Sequence, residues 1–328
     1  MARIFVTRVP PGLALERLRA GENDVEVWPG DLPPTREALG AALAGADAVL
    51  SMVTDRIDGS LLDASPRLRI IANMAVGYDN VDPSLAAAAG VWLTNTPGVL
   101  AETTADMAFA LLMAAARNVV ASDRDTRGGG WRSWSPTAFL GQDVFGATLG
   151  IVGLGEIGSA MARRAAGFKM RVLYSSRTPK PEIEAALGVV RVPLADLLRQ
   201  SDFVSLHTPL ATDTEGLIGG LQFALMKRSA ILINTARGRV VDQDALVAAL
   251  RAGEIAGAAL DVTDPEPLPL AHPLFSLPNV IITPHIASAS LATRSKMAEM
   301  AAENILAVLS GRPPVNPVNL PAHPRQSS

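Results

Sequence analysis

Gly153-Leu154-Gly155-Glu156-Ile157-Gly158 constrains the fold of this chain more than any other stretch. It follows the apolar run 147–152 and opens a helical stretch at 159–167, so the local order is strand, glycine-rich turn, helix. Gly153 permits the tight turn, Gly155 lets the backbone approach a ligand, and Gly158 lets helix and strand pack closely. The helix N-terminus adds unpaired N–H groups and a positive dipole end, which suit phosphate. The same hexapeptide also occurs as a plain βα turn, so its weight depends on the rest of the chain. Read as a functional feature, it is a dinucleotide cradle with all six residues as cofactor contacts.

The next strand, 170–175, ends where such a unit places a carboxylate for the ribose hydroxyls, about 20 residues on. The chain instead reads Ser175-Ser176-Arg177-Thr178. An acid there would repel a 2′-phosphate, whereas serine hydroxyls donate to it and a guanidinium pairs with it bidentately. Ser176, Arg177 and Thr178 therefore favour NADPH, with NADH left open. The alternative is that Arg177 and Lys180 are solvated charges in a loop with Pro179 and Pro181.

With 328 residues the chain has room for two domains, each with its own core. Its net charge of −3 gives no nucleic-acid footprint. It has no cysteine, which excludes disulfides, thiolate metal sites and a cysteine nucleophile. His207, His272, His285 and His323 lack the spacing of metal ligands, so no metal is expected. Residues 2–7 read as a first strand rather than a signal peptide, and no apolar run is long enough for a membrane span. The expected location is the cytoplasm.

Strand and helix patterns alternate throughout, which argues for an α/β fold with parallel sheets. Strands are expected at 3–7, 25–28, 48–51, 70–73 and 91–94, separated by helices at 13–20, 36–44 and 83–89. A long alanine- and leucine-rich helix is expected at 100–119, with Glu102 in its first turn. An irregular stretch at 127–143 follows, carrying Trp131 and Trp134. These rings either pack on another subunit, close over a site, or anchor their own loop. Later strands are expected at 203–207, 230–234, 258–261 and 280–283, and a final helix at 290–309 precedes the tail Arg312-Pro313-Pro314-Val315. The last few residues are expected to be disordered.

Three segments at strand ends carry isolated polar groups in apolar surroundings. They are Asn234-Thr235-Ala236-Arg237-Gly238, Asp261-Val262-Thr263-Asp264-Pro265-Glu266-Pro267 and Thr283-Pro284-His285-Ile286-Ala287-Ser288. Loops at the carboxyl ends of parallel strands line the ligand crevice, so an arginine, a carboxylate and a histidine could converge there. That set suits reduction of a 2-oxo acid. Taken singly, each has an ordinary structural reading as a loop histidine, a turn carboxylate or a helix-capping arginine.

With these segments the chain resembles the D-isomer-specific 2-hydroxyacid dehydrogenase family, and within it the glyoxylate/hydroxypyruvate reductase branch. The resemblance spans nearly the whole chain, including Ala75-Val76-Gly77-Tyr78-Asp79-Asn80-Val81-Asp82 and Asn95-Thr96-Pro97-Gly98-Val99-Leu100. It implies two Rossmann-like, doubly wound parallel-sheet domains, the cofactor domain inserted into a flavodoxin-like substrate domain. Residues 1–98 and 288–328 would form the substrate domain and 99–287 the dinucleotide-binding domain. It further implies His285 as general acid, Glu266 as its partner and Arg237 on the substrate carboxylate, with Val76, Gly77 and Ser288 also binding substrate. Thr104, Thr208, Pro209, Thr235, Ala236 and Asp261 are carried over as cofactor contacts. A homodimer is implied through the 100–119 helix and the loop after it. Met52, Met74, Leu100 and the two tryptophans are candidates around the substrate pocket.

Two positions depart from the family pattern. Ala287 stands where a glycine often sits, and Ser176 replaces the acid typical of NAD-linked members. Alternatives are the same chemistry on a bulkier 2-oxo acid, a related phosphite oxidation, or a dinucleotide-sensing scaffold of the corepressor type. The complete Arg/Glu/His set argues against the scaffold.

Overall fold

The structure is a computed structural model that describes residues 1–325; the disorder expected at the extreme C-terminus concerns 326–328, which lie outside the described residues. The chain divides into two compact units, Met1–Leu100 with Ala289–Ser328, and Ala101–Ser288.

The first unit alternates β1 (Arg3–Val6), α1 (Ala14–Ala20), β2 (Asp24–Val27), α2 (Arg36–Gly45), β3 (Ala48–Ser51), α3 (Gly59–Asp63), β4 (Ile70–Asn73), α4 (Pro83–Ala88) and β5 (Trp92–Thr94). Its sheet is wholly parallel in the order β2-β1-β3-β4-β5, which is the flavodoxin-like order. Every residue of β3 and β4 is buried, as strands covered on both faces require. Short polar side chains start the helices: Thr35, Asp58 and Asp82 each accept from a backbone N–H in the first turn, and Pro83 follows the last of these caps.

The second unit runs α5 (Ala101–Ala116), α6 (Val119–Arg127), β6 (Thr148–Val152), α7 (Glu156–Gly167), β7 (Arg171–Ser175), α8 (Pro181–Leu187), β8 (Val190–Arg191), α9 (Leu194–Gln200), β9 (Phe203–Leu206), α10 (Gly220–Phe223), β10 (Ile231–Asn234), α11 (Gln243–Ala252), β11 (Gly257–Leu260) and β12 (Val280–Ile282). Its parallel sheet has the order β12-β11-β10-β9-β6-β7-β8. Alternate strand residues feed two cores, one on each face. Tyr174, Ile231 and Ile233 join α5 and α7 on one side, while Leu173 and Leu232 join α9 and α11 on the other. The chain then returns to the first unit as α12 (Leu291–Leu309), capped by Ser290 and packed on α1, β3 and β4.

Two helical expectations need correction. The single helix expected at 100–119 breaks into α5 and α6, bent by 62°. Asn118 takes a left-handed conformation at the break, and its Nδ2 donates to Leu140 O at 3.0 Å; asparagine tolerates that conformation better than most residues. The helix expected from 159 instead begins at Glu156, so the last glycine of the turn is already helical. No single helix among the described residues is long and apolar enough to cross a membrane. The bent pair α5 and α6 passes together by length and composition, yet α5 buries Ala105, Ala108 and Leu112 in the core.

Candidate active site

Register aligns the ends of six strands of the second unit. Val152 pairs with Ser175 and with Leu206, Leu206 with Asn234, Asn234 with Leu260, and Leu260 with Ile282. The segments that follow therefore leave the sheet from one row at its carboxyl edge. They are the glycine turn, Ser176-Arg177-Thr178, His207-Thr208-Pro209, Thr235-Ala236-Arg237, the Asp261 to Glu266 loop and the His285 turn. Strand order reverses between β6 and β9, the position at which open α/β sheets form a ligand crevice.

The glycine turn fits a dinucleotide. Gly153 has φ +96°, and a Cβ there would lie 2.6 Å from His207 O. A Cβ on Gly158 would collide with Gly153 O and press on Ile151, so that glycine sets how closely α7 lies on β6. A Cβ on Gly155, by contrast, meets nothing within 4 Å; the space above it is open at the N-terminus of a three-turn helix. The Thr235 hydroxyl, on the same row, is buried without a partner among the described residues, a group that a bound ligand would satisfy. Leu154 is buried beneath the turn, and Thr104 is buried on α5. The Thr208 and Pro209 segment is braced by Thr214, whose Oγ1 donates to Pro209 O at 2.6 Å.

The 176–178 loop is held from below. Tyr174 is fully buried at the end of β7; its hydroxyl donates to Glu184 and accepts from Lys180 N at 2.9 Å. Burial and the Glu184 carboxylate both push that phenol up from its ordinary value. Arg191 Nη2 donates to Ser176 O at 3.0 Å and Arg177 O at 3.1 Å, while Ser176 Oγ donates to Thr178 O at 2.6 Å. The Arg177 guanidinium is left 74% exposed, 3.5 Å from Asp213.

At the other end of the row, His285 Nδ1 lies 2.5 Å from Glu266 Oε1. His285 has φ 55°, a left-handed conformation that needs support from its surroundings. Asp261 supplies it. His285 N donates to Asp261 O at 2.9 Å. The Asp261 carboxylate accepts from Thr283 Oγ1 at 2.5 Å, Ile286 N at 2.9 Å and Ala287 N at 2.7 Å. Asp261, expected among the cofactor contacts, thus has both oxygens engaged by the histidine turn. Glu266 is steadied by Thr263 N at 3.4 Å, and Gln243 brackets Asp264, two residues earlier, accepting from its N at 3.0 Å and donating to its O at 2.6 Å. Arg237 stands on the adjacent loop, where Asn234 Nδ2 donates to its carbonyl at 2.9 Å and Asn234 Oδ1 accepts from Ala236 N at 3.0 Å. Ser288 closes the unit, half-buried.

In the first unit, Val76 and Gly77 follow β4, and Met74 and Leu100 are buried. The carbonyls of Val76 and Gly77 accept from Asn95 Nδ2 at 2.9 Å and Asn73 Nδ2 at 3.0 Å. Trp131 and Trp134, in the second unit, are 71% and 81% exposed, so neither ring anchors its own loop. Asp261 as the brace of the histidine turn, Arg191, Gln243 and Thr214 were not singled out for these roles by the sequence. Arg191 reaches its partners through the pairing of Tyr174 with Arg191, and Gln243 and Asp261 reach theirs from 21 or more residues away; Thr214 acts within its own loop, and no local motif marks any of them.

Residues 109–287 match the model of the D-isomer specific 2-hydroxyacid dehydrogenase, NAD binding domain. The chain is 52% identical to the glyoxylate reductase of Korarchaeum cryptofilum over 318 residues, covering 97% of this chain and 96% of that one. Among solved structures, a protein of Thermus thermophilus is 51% identical with a TM-score of 0.91, over 96% of this chain and 99% of that one. An NADPH-dependent glyoxylate/hydroxypyruvate reductase of Sinorhizobium meliloti, in complex with NADP and malonate, is 33% identical with a TM-score of 0.86, over 100% of this chain and 99% of that one.

Proposed function

The chain belongs to the D-isomer-specific 2-hydroxyacid dehydrogenase family and is an NAD(P)-dependent oxidoreductase; on that premise we propose that it reduces glyoxylate and hydroxypyruvate to glycolate and D-glycerate, with NADPH preferred. The observation that carries the reading is the pair formed by His285 and Glu266, 2.5 Å apart on the same sheet edge as the glycine turn. Its relatives' names point to the same acceptor, and Ser176, Arg177 and Thr178 to the same cofactor.

When bound, NADPH supplies the hydride that adds to the carbonyl carbon. Gly153, Leu154, Gly155, Glu156, Ile157 and Gly158 hold the pyrophosphate, Ser176, Arg177 and Thr178 the 2′-phosphate, and Thr104, Thr208, Pro209, Thr235 and Ala236 the remainder. Arg237 pairs with the substrate carboxylate and draws negative charge toward the carbonyl oxygen. The amides of Val76 and Gly77 receive the same carboxylate, with Ser288 as a further contact. His285 gives its Nε2 proton to the oxygen as that oxygen gains charge, so the carbonyl becomes a neutral hydroxyl and the product keeps only its carboxylate charge. Glu266 accepts from Nδ1–H and fixes the ring so that Nε2 faces the substrate oxygen. The unit Met1–Leu100 with Ala289–Ser328 serves as the substrate domain and the unit Ala101–Ser288 as the cofactor domain, within two residues of the boundaries expected at 98/99 and 287/288. The exposed Trp131 and Trp134 face a second copy in a homodimer, which light scattering on the purified protein tests directly.

Steady-state oxidation of NADPH and NADH with glyoxylate, hydroxypyruvate and pyruvate tests the reading. The expected result is fastest oxidation of NADPH with the first two acceptors. Turnover with NADH alone would overturn the cofactor preference, and no turnover with any pair would overturn the substrate assignment.

A further inference from the structure

Three consecutive carbonyls in the first unit are each claimed by a donor of that unit. Thr96 N donates to Ala75 O at 2.8 Å, Asn95 Nδ2 to Val76 O at 2.9 Å and Asn73 Nδ2 to Gly77 O at 3.0 Å. In a trans peptide the N–H points opposite to the C=O. Because Asn95 and Thr96 are neighbours, capture of the Ala75 and Val76 carbonyls turns the amides of Val76 and Gly77 away from that segment, side by side. Two adjacent amides presented this way form an anion nest. The third tether acts on the other peptide plane of Gly77. It restrains a residue whose missing Cβ would otherwise let that plane swing.

We propose that Asn73 and Asn95 are positioning residues for the substrate: they hold the Val76 and Gly77 amides in the orientation that receives the carboxylate of the 2-oxo acid. This inference rests on the reading of those two amides as the carboxylate cradle. Neither asparagine touches the substrate; each acts through a backbone carbonyl. Asn73 is fully buried, and its Oδ1 lies 3.3 Å from both Ser51 Oγ and Asn80 Nδ2. Asn80 Nδ2 in turn donates to Asp55 O at 2.9 Å and Met52 O at 3.2 Å. The network ties the cradle to the loop after β3, so cradle and loop move as one piece. An apolar side chain at either position would leave a carbonyl unpaired and its peptide plane free to rotate.

The test uses oxamate, an unreactive isostere of small 2-oxo acids, with the full-length protein saturated with NADPH. In the unaltered protein, oxamate should shift the amide resonances of Val76 and Gly77. Asn95→Ala, half-buried, and Asn73→Ala, buried, should each raise the oxamate Kd and the KM for the 2-oxo acid about tenfold, the range of one charge-assisted hydrogen bond. They should leave kcat within about threefold and NADPH affinity unchanged, since the hydride and proton donors are untouched. Shifted amides with unaltered KM in a folded variant would overturn the positioning role while leaving the cradle standing. Parallel losses of kcat, NADPH affinity and melting temperature would overturn it too, as general structural damage. Amides that ignore oxamate in the unaltered protein would remove the cradle reading and this inference with it.

Discussion

The amide of His285 donates to the carbonyl oxygen of Asp261 at 2.9 Å, and that bond ties the turn bearing the imidazole to the end of the neighbouring strand. The Asp261 side chain completes the tether through Thr283, Ile286 and Ala287. A histidine at positive φ is thereby held by the carbonyl of Asp261, and its neighbours in the turn by the buried carboxylate of the same residue.

Asp261→Asn should show what that tether contributes. The amide group would set an N–H donor against either Ile286 N or Ala287 N, leaving buried donors unmatched. We expect a loss of about 2–3 kcal/mol of stability in urea unfolding, together with a fall in kcat. Wild-type stability and turnover in the variant would show that the turn holds its shape without the carboxylate.

His285→Ala should lower kcat by about 10²–10⁴-fold, the usual worth of a positioned general acid, while cofactor affinity measured by fluorescence titration stays unchanged. Glu266→Gln should produce a smaller loss, because the ring keeps a neighbour at 2.5 Å but loses its anionic partner. Undiminished turnover in His285→Ala would remove the histidine from the reaction.

Arg177→Ala should raise the Kd for NADPH about 10- to 100-fold and leave NADH within about twofold, since only the former carries a phosphate for the guanidinium. Asp213 is a weak competitor for the arginine, being exposed and 3.5 Å away. Equal weakening of both cofactors, read by calorimetry, would count against the 2′-phosphate assignment.

Burial pushes the His207 imidazole from 6.5 down to about 4, and its Nε2 lies 2.8 Å from Ser205 Oγ. Between those two values the unfolded chain binds a proton that the folded chain refuses, so stability rises with pH across the window. Acidification from pH 7 to below 4 should therefore cost on the order of 3 kcal/mol through this group. Melting curves of the protein and of His207→Gln, recorded from pH 7 to 4, should diverge in slope, with the variant losing less. Identical slopes would mean that the imidazole is free to protonate in the folded state.

What the chain's letters determine is local. Alternating periods near two and near 3.6 residues mark most strands and helices, and the glycine turn marks the dinucleotide-binding unit. Each depends on residues within a few positions of one another, where propensity and sterics act directly. The helix break at Asn118 escaped that reading because an alanine-rich periodicity continues across it, and the left-handed asparagine gains its support from Leu140. Tertiary structure decided the rest: that Asp261 grips the His285 turn, that Arg191 staples Ser176 and Arg177, and that Asn95 aims the amide of Gly77. Those contacts follow from which strands lie side by side and in what register, a property of the whole sheet that no short window of sequence contains.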